Sequence, residues 1–319
     1  MFTMWCHNGG DFSLEPTVAA RPVLIAQISD LHITRPGALA YGRVDTAAAL
    51  LRSIDTLNAM SPRPDLVVIS GDIADSALPE EYEHARTLLG ALQIPFAVIP
   101  GNHDRRTPMR KIFPDPSYGP GDGALNSMRS VRDVDIVLID STVPGAPHGE
   151  LDAATLLWLE VTLTVSPTRP ALLFLHHPPF NTGIMYTDAI RLRNADSLAA
   201  VLKRHPRIQL LAAGHVHRAA QSTFAGIAAS ICPAGEQAVT LEFEPRWPEV
   251  FRIEPPSLHL HAWLPAPPCL ASRRGFRKRG DPPGSGRRIS RPLFLCLCGH
   301  GPTAPITTYL RCKLPLFLR

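Results

Sequence analysis

Residues 94–104 read IPFAVIPGNHD, and this stretch decides how the chain is organised. Phe96, Ala97, Val98 and Ile99 form a short apolar run, β-branched at its end, which fits a strand covered on both faces. Pro100 cannot donate to a ladder and Gly101 allows a sharp turn, so the strand stops there. Asn102, His103 and Asp104 follow at once. A strand that ends on an amide, an imidazole and a carboxylate is a way to build a site on a rigid support. Taken alone, the tetrapeptide fits an Asx-turn with a surface histidine equally well, so the other strand ends decide.

Working outward, the same pattern recurs. Upstream, residues 65–70 (DLVVIS) end at Gly71-Asp72, and residues 23–29 (VLIAQIS) end at Asp30-Leu31-His32. Downstream, residues 171–175 (ALLFL) end at His176-His177-Pro178, and residues 208–213 (IQLLAA) end at Gly214-His215-Val216-His217. Residues 135–140 (DIVLID) form a further strand. Between strands, residues 45–60 carry a helical stripe at Leu50, Leu51, Ile54, Leu57 and Met60 behind an Asp45 cap. Residues 79–92 open on Pro79 with acids in the first turn, where the helix dipole favours them. Asp152 caps a helix over 152–163, and Asn194 or Asp196 caps one running to His205. Residues 111–131, rich in Gly and Pro, read as a loop, and 222–231, 238–244 and 250–263 read as strands. Strands alternating with helices predict a layered α/β fold, and the late strands predict a second sheet packed beside the first.

Composition bounds the rest. The chain has 319 residues, 45% of them hydrophobic, and a formal charge of +4. The basic excess is crowded into Arg273, Arg274, Arg277, Lys278, Arg279, Arg287, Arg288 and Arg291, so it says little about the partner of the folded part. Six cysteines without a framework point to a reduced, cytoplasmic compartment. No apolar run reaches the ~18 residues that span a bilayer, and no nucleic-acid module is recognisable. Residues 1–21 read as a flexible arm, 22–263 as the folded domain, and 264–319 as a Pro- and Arg-rich tail expected to be disordered.

In an α/β sheet the carboxyl ends of parallel strands gather on one edge, where ligands bind. That edge would hold Asp30, His32, Asp72, Asn102, His103, His176, His215 and His217. Eight such donors buried without a cation would leave carboxylates and imidazoles largely unpaired, which is costly. A metal centre resolves this. Nitrogen and oxygen donors without thiolate point to Zn, Mn, Fe or Co. There are donors enough for two ions, and Asp72, with no neighbouring ligand in its motif, suits a shared carboxylate. A pair of ions about 3.5–4 Å apart stabilises both oxygens of a phosphoryl displacement and lowers the pKa of a bridging water toward ~7.

The order D-x-H, G-D, G-N-H-D, H-x-P, G-H-x-H resembles the calcineurin-like metallophosphoesterases from about Val23 to Trp263. The resemblance implies a four-layer α/β/β/α double-sheet sandwich. It assigns Asp30, His32, Asp72 and His217 to one metal, and Asp72, Asn102, His176 and His215 to the other. It makes His103 the histidine that contacts the phosphate and protonates the leaving group. His176, which precedes x-Pro as in the family pattern, is preferred to His177 as ligand. Residues 41–46 (YGRVDT) and 79–82 (PEEY) look like the class III cyclic-nucleotide phosphodiesterases and their relatives that cleave glycerophosphodiesters. In that group Tyr41 would border the substrate and Asp75 would support a ligand; ordinary packing and turn chemistry are the plain alternatives.

The expected activity is hydrolysis of a small phosphodiester, such as cAMP, by metal-bound hydroxide. Glycerophosphodiester or phosphomonoester hydrolysis, and a metal-stabilised binding scaffold, are the alternatives. The tail does not match the relatives, which complete the second sheet or add a cap or dimer element there; a homodimer stays open. The remaining histidines look structural: His84, His148 and His205 at helix or loop positions, and His259 and His261 alternating on a strand and expected to be exposed.

Overall fold

The computed structural model describes residues 21–241 and 250–264 and the backbone of 306–311. The apolar runs are strands and the striped segments are helices. In chain order the first half holds β1 (Val23–Ile28), α1 (Thr46–Asn58), β2 (Leu66–Ser70), α2 (Pro79–Leu89), β3 (Phe96–Ile99), α3 (Arg106–Ile112), β4 (Ser127–Val131) and β5 (Val134–Ile139). The second half holds α4 (Ala153–Val165), β6 (Ala171–Leu175), α5 (Met185–Ala189), α6 (Ala195–Arg204), β7 (Ile208–Ala213), β8 (Ala220–Phe224), β9 (Ile227–Ile231), β10 (Gln237–Val239), β11 (Phe251–Ile253), β12 (Ser257–Trp263) and β13 (Ile306–Arg311). The expected caps form: the Asp45 carboxylate accepts from Ala48 N–H at 2.9 Å, and Asp152 from Thr155 N–H at 2.7 Å. Asn194 stands at the start of α6, but its side chain bonds both backbone groups of Leu151 instead.

Two sheets stack face to face, in the strand orders β13-β12-β1-β2-β3 and β4-β5-β6-β7-β9-β8. β1, β2 and β3 run parallel, and so do β5, β6, β7 and β9. Ile25, Val68, Ile99, Ile136, Phe174 and Leu210 fill the space between the sheets. α1, α2 and α3 cover the outer face of the first sheet through Leu50, Ile54, Tyr82, Leu89 and Met109. α4 and α6 cover the outer face of the second through Leu159, Leu163, Leu198 and Leu202. This is the expected α/β/β/α sandwich. Its parallel strands are buried on both faces, which is why they read as continuous apolar runs. No helix among the described residues is long and apolar enough to cross a membrane.

The structure departs from the sequence reading in several places. The segment 111–131 is not all loop. Its start completes α3, whose buried Met109 and Ile112 are too few to show a helical period, and its end is the edge strand β4. Residues 222–231 are not one strand but the end of a hairpin, β8–β9. Its turn residues Ala225 and Gly226 have φ of +51° and +84°, the left-handed pair a two-residue turn needs. Of 238–244, only the start is strand, in the small β10–β11 pair; residues 242–244 lie outside the described residues. In the segment expected to be a disordered tail, Ile306–Arg311 pairs antiparallel with β12, so that reading does not hold over these residues. The N-terminal arm up to residue 20 and the rest of the tail past residue 264 lie outside the described residues.

His259 and His261 are buried, not exposed. The alternation of β12 sends Leu258 to the helix-facing core and His261 against Phe174 in the sheet-facing one. Both faces of the strand are covered, so polarity does not mark the solvent side. His261 Nε2 bonds the Gln27 amide oxygen at 3.0 Å. Burial pushes His259 down from 6.5 to about 4, and burial with the neighbouring His259 pushes His261 down to about 3. The unfolded chain therefore takes these protons more readily. Their contribution to stability is full above pH 6.5 and is lost as pH falls toward 4 and 3. At about pH 5 each imidazole is expected to account for roughly 2 kcal/mol. Urea midpoints should fall between neutral pH and about pH 5, and less steeply for His261→Gln. Parallel declines in the two proteins would mean that His261 is not held neutral in the fold.

Candidate metal centre

The donors stand where the parallel strands of both sheets end. Asp30, His32, Asp72, His215 and His217 have left-handed backbones, with φ of +54°, +44°, +50°, +72° and +57°. Such a conformation costs a non-glycine residue about 1–2 kcal/mol, and it clusters at functional sites. Backbone bonds hold it: Asp30 N–H donates to Gly71 O at 3.0 Å, and His32 N–H to Asp72 O at 2.9 Å. The two glycines of the motifs are needed for space. A Cβ on Gly71 would strike the His176 ring, and one on Gly101 would strike Asp72. The sheets are tied together at the same edge, where His215 N–H donates to Asp30 Oδ1 at 2.9 Å and His176 Nδ1 to Ser70 O at 2.8 Å.

The donor atoms of Asp30, His32, Asp72 and His217 all lie within 4.8 Å of one another. His32 Nε2 is 3.6 Å from Asp72 Oδ2, and His217 Nε2 is 3.6 Å from Asp30 Oδ1. Beside this set, His176 Nε2 lies 3.4 Å from Asp72 Oδ2 and 3.2 Å from Asn102 Oδ1. The His215 ring is 5.1 Å from that of His176. Asp72 thus faces imidazoles of both sets through one carboxylate oxygen, and its Oδ1 accepts from His103 N–H at 2.9 Å. All seven residues expected as ligands come together: Asp30, His32, Asp72 and His217 in one group, His176 and His215 with His177 in another, and Asn102 against His176.

The donor chemistry fits cations. His176 Nδ1 donates to Ser70 O at 2.8 Å, and His217 Nδ1 to Gln237 O at 2.8 Å; a backbone carbonyl only accepts, so each Nε2 presents a lone pair inward. His32 Nδ1 is likewise held by Asp75 Oδ1 at 3.3 Å. As a result His32 Nε2 and His217 Nε2 face each other at 3.2 Å, and His176 Nε2 faces two oxygens. Acceptors pointed at acceptors in a buried site call for a positive charge between them. The Nε2 atoms of His215 and His177 are also buried without a partner. His177, the disfavoured member of its pair, places a ligand atom within 4.8 Å of His176 and His215. Its Nδ1 is held 2.9 Å from Ser141 Oγ. Only His176 of the two reaches Asp72 and Asn102.

Electrostatics repeat the point. Burial opposes charge on His176, but the Asp72 carboxylate beside it raises the imidazole to about 9, a proton standing where a cation would. Burial would also raise Asp72, yet the His176 charge and hydrogen bond hold it well below the usual carboxylate range. Burial pushes His217 down to about 4, and burial with nearby His176 keeps His215 well below its ordinary value. Both are therefore neutral and able to ligate at neutral pH.

His103 is half-buried at the mouth, its ring 4.6 Å from that of His32. Its Nδ1 donates to Asp75 O at 2.6 Å, which leaves Nε2 free to exchange a proton with a bound molecule. Asp75 thereby orients two histidines, one through its side chain and one through its carbonyl. Tyr41 is 53% exposed and stacks on Phe251, whose ring centroid is 5.5 Å from that of His217.

Sequence reasoning missed the brace. The buried Asp104 carboxylate accepts from Ile73, Ala74 and Gly101 N–H at 3.1, 3.1 and 2.9 Å, lacing the loop after β2 to the turn after β3. Burial and the charge of Asp72 raise it to about 6. Its place in the G-N-H-D run was the available signal. Phe251 carried none, being one aromatic on a late strand.

The profile of the family described as Calcineurin-like phosphoesterase matches residues 23–219. The probable glycerophosphodiester phosphodiesterase GpdQ of Arcobacter nitrofigilis is 35% identical over 242 residues, 76% of this chain and 89% of its own. The 3',5'-cyclic adenosine monophosphate phosphodiesterase CpdA of Escherichia coli K12 is 32% identical over 203 residues, 64% of this chain and 72% of its own. Among solved structures, a dimetal phosphatase from Danio rerio aligns with a TM-score of 0.55 at 17% identity, over 75% of this chain and 95% of that one. At that identity the likeness is one of fold.

Elemental analysis of the purified chain is expected to find about two equivalents of transition metal. Asp72→Asn should retain little of it, and His103→Ala should retain all. Chelation should lower the thermal midpoint and Mn²⁺ should restore it. Full retention in Asp72→Asn would refute a shared carboxylate.

Proposed function

The chain belongs to the calcineurin-like phosphoesterase family and hydrolyses phosphodiesters, and we propose that its substrate is a 3',5'-cyclic nucleotide such as cAMP. One observation carries the reading: two donor sets share the Asp72 carboxylate, with His103 beside them at the open side. Asp30, His32, Asp72 and His217 would hold one ion, and Asp72, Asn102, His176 and His215 the other. The donor types suit Fe, Mn, Zn or Co. When bound, such ions supply charge against the phosphate oxygens and a water of lowered pKa.

The chain's own groups do the rest. Asn102 turns its Oδ1 toward His176, leaving its NH₂ to donate to a phosphate oxygen. His103, its Nδ1–H held by the Asp75 carbonyl, would as an imidazolium give its Nε2 proton to the departing ester oxygen and be left as the neutral Nδ1–H form. The matching relatives include both a cyclic-nucleotide enzyme and a glycerophosphodiesterase. The second activity is supported by the 35% identity to the Arcobacter nitrofigilis protein across 89% of its length.

With Mn²⁺ present, bis(p-nitrophenyl) phosphate should turn over faster than the mononitrophenyl ester, and cAMP should yield AMP. His103→Ala should lower kcat by about 10²–10⁴ with metal content intact. A faster monoester would overturn the diesterase reading, and cleavage of a glycerophosphodiester but not cAMP would select the alternative.

A further inference from the structure

A ligand imidazole is oriented by what holds its other nitrogen, because that bond fixes both the ring and the tautomer. Ser70 O holds His176, Gln237 O holds His217 and Asp75 Oδ1 holds His32, each through Nδ1. His215 departs from this pattern. Its Nε2 is buried and has no hydrogen-bond partner among the described residues. Nε2 of His177 is buried and unpartnered in the same way. The two rings are neighbours, with centroids 4.7 Å apart and planes tilted by 53°.

His177 is held so that it can accept. Ser141 Oγ, on the loop after β5, lies 2.9 Å from its Nδ1 and also takes the His177 backbone N–H at 3.2 Å. The Pro147 carbonyl is a further hydrogen-bond partner of the ring. A carbonyl only accepts, and Nε2 has no partner, so the bond to Pro147 is made by Nδ1–H. Nε2 therefore keeps its lone pair. Backbone also confines the ring, since a Cβ on Gly149 would stand 2.5 Å from its Cγ. His177 and Ser141 are both fully buried. A lone pair fixed in the interior is costly unless a donor or a cation meets it.

We propose that His177 is the positioning residue of His215: its Nε2 accepts the His215 Nε2–H, which presents His215 Nδ1 to the second ion. The proposal rests on the metal centre described above and deepens it; it does not depend on which ester is cleaved. The χ2 rotor of histidine is broad, so a turn of the His215 ring brings the two nitrogens into bonding range. One bond then answers both buried atoms. It also gives the end of β5, which supplies no ligand, a place in the centre: Ser141 fixes His177, and His177 fixes His215. His32, His176 and His217 would present Nε2 to the ions, and His215 alone of the ligand imidazoles Nδ1.

The test is long-range proton–nitrogen correlation NMR of the histidines in the Zn²⁺-loaded full chain, where each ring nitrogen shows whether it carries a proton, a metal or a lone pair. His215 is expected to carry its proton on Nε2 and metal on Nδ1, and His177 to keep its proton on Nδ1 and bind no metal. His177→Phe retains a flat ring but no acceptor. In it the His215 N–H signal should leave the hydrogen-bonded range, and the second equivalent of Zn²⁺ should bind about 10- to 100-fold more weakly with the first unchanged. His177→Gln restores an acceptor and should recover both. Metal on His215 Nε2, or on His177 itself, overturns the proposal while the centre stands; so does unchanged Zn²⁺ affinity in His177→Phe. A wild type that takes up no Zn²⁺ overturns the proposal and the centre together. Should His177→Phe fail to fold, the wild-type spectrum by itself decides among these outcomes.

Discussion

Asp72 lies at the edge where the two sheets meet, and its carboxylate faces His32 on one side and His176 on the other. A buried anion among buried imidazoles is tolerable only if the charges are answered in place. The surrounding structure is arranged to hold them there. Parallel strands in both sheets end at this edge. Left-handed backbones at the donor positions turn the side chains inward, and two glycines clear room for Asp72 and His176. Asp104 laces the loops together from behind with three backbone bonds.

Orientation is set by what each ring does with its other nitrogen. Ser70 O, Gln237 O and Asp75 take the Nδ1 protons of His176, His217 and His32, so that every Nε2 aims at the centre. The same device, through the Asp75 carbonyl, gives His103 its tautomer. One residue, Asp75, therefore couples His32 to His103. The donors themselves sit on rigid strand ends.

Much of this was legible before any coordinates. A buried parallel strand reads as an apolar run, and a polar motif directly after it is a local event in the chain. Asp30, Asp72, Asn102, His176 and His215 could be singled out on that ground alone. Where the sequence misled, the environment came from elsewhere in the fold. His259 and His261 follow the alternation of an exposed strand, yet the second sheet covers the face they occupy. α3 is too short to show a period, and β4 is polar because it is an edge. The β8–β9 turn hid behind an alanine in a conformation usually given to Asn or Gly. β13 lies in a segment whose composition reads as tail, and it is ordered by pairing with β12.

The sequence by itself determined the buried parallel strands, the longer helices and the layered class, and it marked the candidate donors, because hydrophobic period and strand-end chemistry are properties of a few consecutive residues. Only the tertiary structure decided which donors share a cation-sized space, that His177 stands beside His176 and His215, and that Tyr41 leans on Phe251. Those are distances between residues remote in the chain, set by how two sheets and a hairpin pack. No local pattern encodes them.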